Sequence, residues 1–314
     1  MKDIRIIYMG TPTFASNILN TLINHKYNIV CVVTQPDKPV GRKRILEPSA
    51  VKILALENDI PVLQPSNIKT DFQDILDFKP DLIITCAYGQ IIPEQLLDFP
   101  KYKCINIHAS LLPKYRGGAP IHYSIINGDD KTGVTLMNMV KKMDAGDILV
   151  QEEILIDIND TTESLFEKLS ILGSNMIIDN LDNYIKGEII PTVQDESKVS
   201  YAYNISREQE YIDFNRDVLV VYNHIRGLIS WPIGYSIINE IKIKFYDVTF
   251  TRDSNSIPCK VYGLENDMLK VGCINGFIFI KKLQVAGKNV LDAKLFYNGY
   301  KIKVEGLYFE KSCN

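Results

Sequence analysis

Asn106 and His108 are the residues whose type and spacing first indicate chemistry in this chain. They stand two positions apart at the end of the otherwise apolar segment Lys103–His108. Residues two apart on a strand share a face, so both side chains are predicted to point to the same side of a sheet. An amide N–H can stabilise a developing oxyanion, and an imidazole can move a proton near neutral pH. A lone histidine is more often a satisfied core residue, but two polar residues that close an apolar strand favour a site.

A third candidate lies in the segment Met143–Asp147, which is predicted to form a turn between two strands. The segment carries two carboxylates, Asp144 and Asp147, and their spacing alone leaves both open. An aspartate in a turn is usually only a turn former. Another turn, Gly10–Pro12, follows the first predicted strand, where ligands often meet a helix N-terminus. Because it lacks the GxGxxG spacing of dinucleotide sites, a tight strand–helix turn is favoured there.

The elements that must position these residues follow from the apolar periodicity of the chain. Short apolar runs alternate with helical patterns, which predicts a mostly parallel sheet covered by helices. Strands are expected at Ile4–Met9, Ile29–Thr34, Asp81–Cys86, Lys103–His108, Gly133–Val140 and Ile148–Ile156. Helices are expected from about Phe14 to Ile23, from the N-cap Ser49 to Glu57, and from Thr162 to about Tyr184. Parallel sheets bind ligands at the carboxyl ends of their strands, which is where Asn106 and His108 fall.

The C-terminal third has a different pattern. A polar, irregular stretch at Lys186–Ser206 predicts a linker, and a short helix is expected at Asp217–Leu228. Four strand-like runs follow, at Lys242–Phe250, Cys259–Leu264, Met268–Cys273 and Phe277–Leu283. Short β segments broken by Gly, Asn and Asp predict a small all-β domain, an OB-like barrel or a sandwich. We therefore expect an α/β, Rossmann-like domain over 1–188, a linker over 189–206 and a smaller all-β domain over 207–314.

The composition is that of an ordinary globular protein. The chain has 314 residues, of which 46% are hydrophobic and 23% charged, so two domains are expected and disorder is not. It has no apolar run of membrane length and no signal-peptide pattern, which predicts a cytoplasmic protein without a membrane partner. The cysteines lack CxxC or metal-site spacing, so buried reduced thiols and no metal are expected. They are Cys31, Cys86, Cys104, Cys259, Cys273 and Cys313.

Charge is distributed unevenly along the chain. The net charge is −3, yet from Lys242 onward 12 Lys and Arg stand against 7 Asp and Glu, a balance of +5. A basic region on an acidic body is a modest indication of a polyanionic partner, although chance variation explains the charge equally well. The loop between Gln35 and Pro48 is also basic, with Lys38, Arg42, Lys43 and Arg44 in seven positions.

The stretch Asn106–Gly117, followed by Asp144–Asp147, resembles the signature of the folate-dependent formyltransferases. The family uses Asn, His and Asp at the positions of Asn106, His108 and Asp144, which favours Asp144 over Asp147. The resemblance implies transfer of a formyl group from 10-formyltetrahydrofolate to a primary amine. Asn106 would donate to the oxyanion, His108 would donate to it or move a proton, and Asp144 would hold the imidazole in one tautomer and favour its protonated form. Neither a metal nor a covalent intermediate is implied.

The resemblance also implies a folate cleft. The family contacts folate through the stretch that corresponds to Ser110, Leu111, Leu112 and Pro113. A second segment, Tyr88, Gly89, Gln90 and Ile91, follows a neighbouring predicted strand. Because both segments follow parallel strands, we expect them to line one cleft for the pterin and aminobenzoate rings.

Three further features resemble those members of the family that formylate methionyl-tRNA. They are the opening Gly10–Ala15, the loop Gln35–Arg42 and a C-terminal extension that includes Trp231–Pro232. The implied partner is initiator methionyl-tRNA, whose acceptor stem would meet Lys38, Arg42, Lys43 and Arg44. The basic C-terminal domain would hold the rest of the tRNA through shape and backbone contacts. We expect a monomer with no DNA partner.

Other acceptors keep the same chemistry. A sugar-nucleotide N-formyltransferase or a 10-formyltetrahydrofolate hydrolase would share the core, but the basic loop and the basic C-terminal domain argue against both. A glycinamide ribonucleotide formyltransferase would normally stop near residue 200, so the C-terminal domain argues against that function. A non-catalytic folate- or RNA-binding module on the same fold is disfavoured by the complete Asn106, His108 and Asp144 set.

Overall fold

A computed structural model describes residues 3–40 and 45–311 of the chain. The chain folds into two compact units. The first unit holds the residues up to Pro120 together with 131–155 and 166–203. The second holds 121–130, 156–165 and the residues from Asn204 onward.

The first unit is built on a mostly parallel sheet. The strands of this part of the chain are β1 (Ile6–Gly10), β2 (Ile29–Val33), β3 (Lys38–Val40), β4 (Ile45–Glu47), β5 (Val62–Leu63), β6 (Leu82–Cys86), β7 (Cys104–His108), β8 (Lys131–Asn138) and β9 (Ile148–Leu155). Within the described ranges the main sheet has the order β5-β2-β1-β6-β7-β8-β9. The strands from β5 to β7 pair in parallel, whereas β8 and β9 pair antiparallel. The Rossmann-like, mostly parallel architecture expected from the sequence is confirmed.

Helices follow the strands along the chain. They are α1 (Thr13–Asn24), α2 (Ala50–Glu57), α3 (Gln73–Asp77), α4 (Glu94–Asp98), α5 (Pro120–Ile126) and α6 (Thr162–Lys186). Ser49 caps α2 as predicted, because its hydroxyl accepts a hydrogen bond from the Lys52 amide at 3.1 Å. Gly10 closes β1 tightly, since a Cβ there would lie 2.7 Å from that of Ala15. The Gly10–Pro12 segment is therefore a close strand–helix turn.

Two stretches expected to be irregular contain pairing. The loop Gln35–Pro48 includes two short strands, β3 and β4, that pair antiparallel and place Pro39 opposite Leu46. A proline is tolerated there because a two-stranded ribbon has free edges that need no N–H donor. The polar stretch after α6 contains a short 3₁₀ turn, Glu196–Lys198, and bridges such as Arg116 to Tyr201 within the first unit.

The second unit carries the antiparallel β structure. Its elements after residue 204 are α7 (Val218–Arg226), β10 (Tyr235–Ile238), β11 (Ile241–Arg252), β12 (Val261–Glu265), β13 (Met268–Cys273), β14 (Gly276–Val285), β15 (Val290–Asp292) and α8 (Ala293–Val304). The sheet order is β10-β11-β14-β13-β12, with β15 paired to β14. Phe214, Phe245 and Phe309 are buried in its core, and the Phe214 ring stacks on that of Phe309 at 4.8 Å. The antiparallel second domain is confirmed.

The described cysteines are buried free thiols. They are Cys31, Cys86, Cys104, Cys259 and Cys273, whereas Cys313 lies outside the described residues. Among the helices within residues 3–40 and 45–311, none combines the length and the apolar composition that crossing a membrane requires.

Candidate active site

Strand β7 positions the two polar residues that the sequence singled out. Ile105 and Ile107 are buried in the hydrophobic core of the first unit. Asn106 is half-buried and His108 is 7% exposed at the end of the strand. Because β7 pairs in parallel with β6 and antiparallel with β8, Asn106 stands beside Thr85 and His108 beside Thr135. The carboxyl end of a parallel strand therefore presents both side chains.

Thr85 fixes the orientation of the Asn106 amide. Its hydroxyl donates a hydrogen bond to Oδ1 of Asn106 at 2.7 Å. With the oxygen held in this way, the Nδ2 group of Asn106 is the free end, and it donates to no acceptor within the described part of the chain. The amide is thus set to offer an N–H to a bound group.

A backbone carbonyl fixes the tautomer of His108. Nε2 of the ring lies 2.9 Å from the Tyr115 carbonyl oxygen. A carbonyl only accepts, so Nε2 carries the hydrogen and donates it. In the neutral ring Nδ1 is then the unprotonated nitrogen. Nδ1 is therefore the atom of His108 that can take up a proton.

Asp144, and not Asp147, faces His108. Oδ2 of Asp144 lies 3.8 Å from Nδ1 of His108, and its side chain is 16% exposed. That separation is an ion-pair distance and too long for a hydrogen bond, so the Tyr115 carbonyl rather than Asp144 sets the ring tautomer. The Gly117 amide donates to the same Oδ2 at 2.8 Å and fixes the carboxylate.

Side chains of the two antiparallel strands, β8 and β9, form hydrogen bonds with the backbone of Ser110–Pro113. Buried and half-buried residues alternate along it. The Thr135 hydroxyl donates to the Ser110 carbonyl at 2.6 Å and accepts from the Leu112 amide at 3.2 Å. The side-chain amide of Gln151 donates to the Leu112 carbonyl at 2.7 Å. The stretch is rigidly tied, with its half-buried residues, Leu111 and Pro113, partly open to solvent.

The segment Tyr88–Ile91 follows β6 and is tied to the first strand–helix turn. The Tyr88 carbonyl accepts from the Thr11 hydroxyl at 3.0 Å and from the side-chain amide of Gln35 at 3.1 Å. Tyr88 itself is buried, which raises the pKa of its hydroxyl. Gly89 adopts φ +92°, a conformation that favours glycine.

The other half of that segment is partly open. Gln90 is half-buried, and its side chain accepts from the Ile68 amide at 2.9 Å and donates to the Pro65 carbonyl at 3.2 Å. Ile91 is 61% exposed. An apolar side chain displayed on a fixed loop offers contact area to a flat ring.

The basic loop is described only in part. Lys38 is exposed on β3, whereas Arg42, Lys43 and Arg44 lie outside the described residues. The base of the loop is anchored at Asp37, whose carboxylate accepts from the Lys52 ammonium at 2.7 Å and from the Gln64 amide at 2.8 Å. These hydrogen bonds lower the pKa of the Asp37 carboxyl.

Sequence reasoning missed several residues that hold the site. Thr85 and Thr135 lie on neighbouring strands, and Gln194 lies in the stretch predicted as a linker. Each is far along the chain from the residue that it contacts, so no local spacing indicates it. Across the described residues, no group of three or more His, Cys, Asp and Glu side chains is arranged to hold a metal ion.

Solved structures share the fold. HypX from Aquifex aeolicus in complex with tetrahydrofolic acid matches with a TM-score of 0.69 at 17% identity, over 96% of this chain. The chain spans about half of HypX, 48% of its length. An N-formyltransferase from Helicobacter canadensis, in complex with folinic acid and dTDP-3-aminofucose, matches with a TM-score of 0.67 at 22% identity. That match covers 88% of this chain and 98% of the other.

Sequence comparison identifies the family. The formyl transferase family matches residues 2–181, and the formyl transferase C-terminal domain matches residues 204–301. A methionyl-tRNA formyltransferase from Geobacillus sp. (strain WCH70) is 48% identical over 301 residues, which covers 94% of each chain. The chain therefore belongs to the formyltransferase family, in the group of the methionyl-tRNA formyltransferases.

Proposed function

We propose that this protein transfers the formyl group of 10-formyltetrahydrofolate to the α-amino group of initiator methionyl-tRNA, in the cytoplasm and as a monomer. The product is the formylated initiator used in translation initiation. The observation that carries the proposal is the set of Asn106, His108 and Asp144 at the edge of the sheet, in a chain 48% identical to a methionyl-tRNA formyltransferase. The more distant structural relatives share the fold only.

The reaction requires two functions of the protein: first to stabilise negative charge on the formyl oxygen, and second to transfer a proton. The folate supplies a formyl group on an aryl nitrogen. An uncharged amine forms a new C–N bond to the formyl carbon, and the bond to the folate nitrogen breaks. Negative charge develops on the formyl oxygen, and a proton must pass from the attacking amine to the leaving nitrogen. Asn106 serves the first need, because its Thr85-held amide offers Nδ2–H to an oxyanion.

His108 serves the second need. Since Nε2 donates to the Tyr115 carbonyl, Nδ1 is the nitrogen that takes a proton and returns it. Asp144, with Oδ2 at 3.8 Å from Nδ1, stabilises the ring while it is positively charged. The Gly117 amide holds that carboxylate, so the stabilising charge needs no reorganisation.

The two loop segments beside β6 and β7 fit a folate. Each follows a parallel strand and is held by hydrogen bonds from other elements. Between them they offer an exposed apolar side chain at Ile91 and half-buried ones at Leu111 and Pro113. Such a lining suits the pterin and aminobenzoate rings, with backbone groups available to the polar edge.

Binding of a folate analogue is therefore expected to slow amide hydrogen exchange in both Tyr88–Ile91 and Ser110–Pro113. Pro113 has no amide, so the second segment is followed at residues 110–112. Exchange measured by mass spectrometry with and without 5-formyltetrahydrofolate tests this expectation. Residues 268–273 of β13 serve as the internal control and should not change. Protection confined to the second unit would contradict the folate assignment.

The function is tested by a direct assay. The purified protein is incubated with 10-formyltetrahydrofolate and either charged initiator tRNA, a dTDP-linked amino sugar, or no acceptor. Formylated methionine on the tRNA, with no product in the other two reactions, supports the proposal. Formylation of the sugar nucleotide alone, or release of formate at the same rate without acceptor, contradicts it.

We expect the basic loop and the basic region from Lys242 onward to affect tRNA binding differently. Arg42→Ala should lower kcat with methionyl-tRNA by about 10- to 10²-fold, because a misplaced acceptor end loses its reactive geometry. Lys303→Ala, at an exposed position of α8, should raise KM and flatten the salt dependence by up to about 0.9 in log–log slope for a lost phosphate contact. Steady-state kinetics across a salt series measures both effects.

A control variant and one contradicting outcome complete this test of tRNA binding. Lys69→Ala, at an exposed lysine outside both regions, should match the parent at every salt concentration. If Arg42→Ala and Lys303→Ala also match the parent throughout, neither region binds tRNA. A small-molecule acceptor then becomes the better hypothesis.

A further inference from the structure

Arg116 is a fully buried cation that has no part in the proposed reaction steps. Its exposure is 0%. Nε and Nη2 donate to Oε1 of Gln194 at 3.1 and 2.7 Å, and Nη2 also donates to Glu196 at 2.8 Å. Nη1 is buried without a partner among the described residues. Burying a guanidinium carries a large desolvation cost, so a purely structural role would be served as well by an apolar side chain.

Gln194 connects this arginine to the turn that carries Asp144. Its Nε2 donates to the Asp144 carbonyl at 2.9 Å and to the Gly146 carbonyl at 2.7 Å. Arginine can only donate, so it binds the oxygen end of the Gln194 amide and turns the NH₂ end toward the two carbonyls. The charge on Arg116 thus determines which way a buried neutral amide faces.

Asp144 needs such support because of its backbone conformation. Its φ is +50°, in the left-handed region that non-glycine residues adopt at a cost. Gln194 holds the carbonyl of Asp144, and the amide of Gly117 holds the carboxylate. Gly117 directly follows Arg116, whose own backbone pairs with Ser200 and Ala202 at 2.9 and 2.8 Å. The carbonyl and the carboxylate of Asp144 are therefore both hydrogen-bonded by residues next to Arg116, in space (Gln194) or in sequence (Gly117).

We propose that Arg116 and Gln194 are positioning residues that set the Asp144 carboxylate against His108. The inference rests on the proposed function, in which Asp144 stabilises the charged ring of His108. It assigns to the polar stretch after α6 a direct part in placing the carboxylate that stabilises His108.

The test is Gln194→Glu. A glutamate keeps the oxygens that Arg116 binds and adds an opposite charge, so the pairing with Arg116 survives. It removes both N–H donors and puts a carboxylate oxygen against the carbonyls of Asp144 and Gly146. The expected result is a fall in kcat of about 10- to 10²-fold with both KM values within about twofold, because a small displacement of the charge that stabilises the protonated ring of His108 is costly. Glu196→Gln keeps an acceptor for Arg116 on an exposed side chain and should leave kcat unchanged.

A second measurement does not depend on turnover. The Gly117 amide is protected by Oδ2 of Asp144, whereas the Ala119 amide donates to the Ala202 carbonyl at 2.9 Å. In Gln194→Glu, hydrogen exchange followed by NMR should accelerate at least about 10-fold at Gly117 and stay unchanged at Ala119. Acceleration at both amides would mean that the loop has lost its fold, and acceleration at neither would mean that Asp144 is not held by Gln194. Either result overturns the inference.

A double-mutant cycle separates positioning from a general loss of structure. In an Asp144→Asn background, Gln194→Glu should lower kcat by less than about twofold, because the group it positions is already gone. Equal losses in the presence and absence of Asp144 would overturn the inference. A parent enzyme that does not formylate methionyl-tRNA would refute the proposed function instead, and the exchange result at Gly117 would still decide whether Gln194 holds Asp144.

Discussion

Replacing His108 with alanine is expected to lower kcat by about 10²- to 10⁴-fold, the range typical of general acid–base catalysis. The side chain is nearly buried, is held by the Tyr115 carbonyl through Nε2, and faces Asp144 through Nδ1. In the proposed mechanism, its loss removes the group that carries the proton from the amine to the leaving nitrogen. KM for the folate should change little, because the lost interaction grows mainly in the transition state. Single-turnover kinetics with saturating methionyl-tRNA isolates the chemical step.

His25→Ala is the matched control for this substitution. That ring is exposed at the end of α1, where Nδ1 lies 2.8 Å from the Thr21 carbonyl oxygen one helical turn earlier. The control should leave kcat unchanged. If His108→Ala also retains the parent kcat, the proton is carried by another group and the role given to His108 is wrong.

Asn106→Ala should lower kcat by about 10²- to 10³-fold, the cost of removing one oxyanion donor. The reason lies in the way the amide is held: Thr85 occupies its oxygen and leaves Nδ2 to donate. Thr85→Val keeps the volume and the amide but removes the hydroxyl that orients it. The loss there should be smaller, about 10-fold, because the amide can still reach the oxyanion in one of its rotamers.

The loss of kcat is expected to be smaller in Thr85→Val than in Asn106→Ala, and this order tests whether Thr85 orients the amide. Asn180→Ala, which removes a half-buried amide from α6, provides the control and should leave kcat unchanged. Equal losses in Thr85→Val and Asn106→Ala would mean that the amide is ineffective unless Thr85 orients it, whereas a rise in KM with an unchanged kcat in Thr85→Val would indicate a role for Thr85 in binding. Parent-like kcat in Asn106→Ala would exclude the oxyanion role.

Much of the site follows from local spacing, and the rest does not. Asn106 and His108 could be placed on one strand end because strand side chains alternate with a period of two. Choosing Asp144 over Asp147 required the family resemblance, since both lie in one turn. Tyr115 holds His108 through a main-chain oxygen, and main-chain contacts leave no trace in residue type.

The fold shows the same division. The buried strands β1, β6 and β7 are uniformly or largely apolar, so their runs were visible in the sequence. Helix α8 was not predicted, because Asn298 and Gly299 interrupt it with residues typical of turns. Packing of Phe296 and Val304 into the second unit's core overrides that local preference.

The buried cysteines can report local opening of the chain, because their thiols react only when they become exposed. Burial raises the pKa of Cys31 and of Cys104 to about 12 and that of Cys259 to about 11, and it raises those of Cys86 and Cys273 as well. The thiolate is the form that reacts with alkylating reagents, so these groups stay inert while their surroundings are closed. Cys31, Cys86 and Cys104 belong to the first unit, and Cys259 and Cys273 to the second. The rates at which the two sets are alkylated therefore measure local opening of each unit separately, without any engineered cysteine.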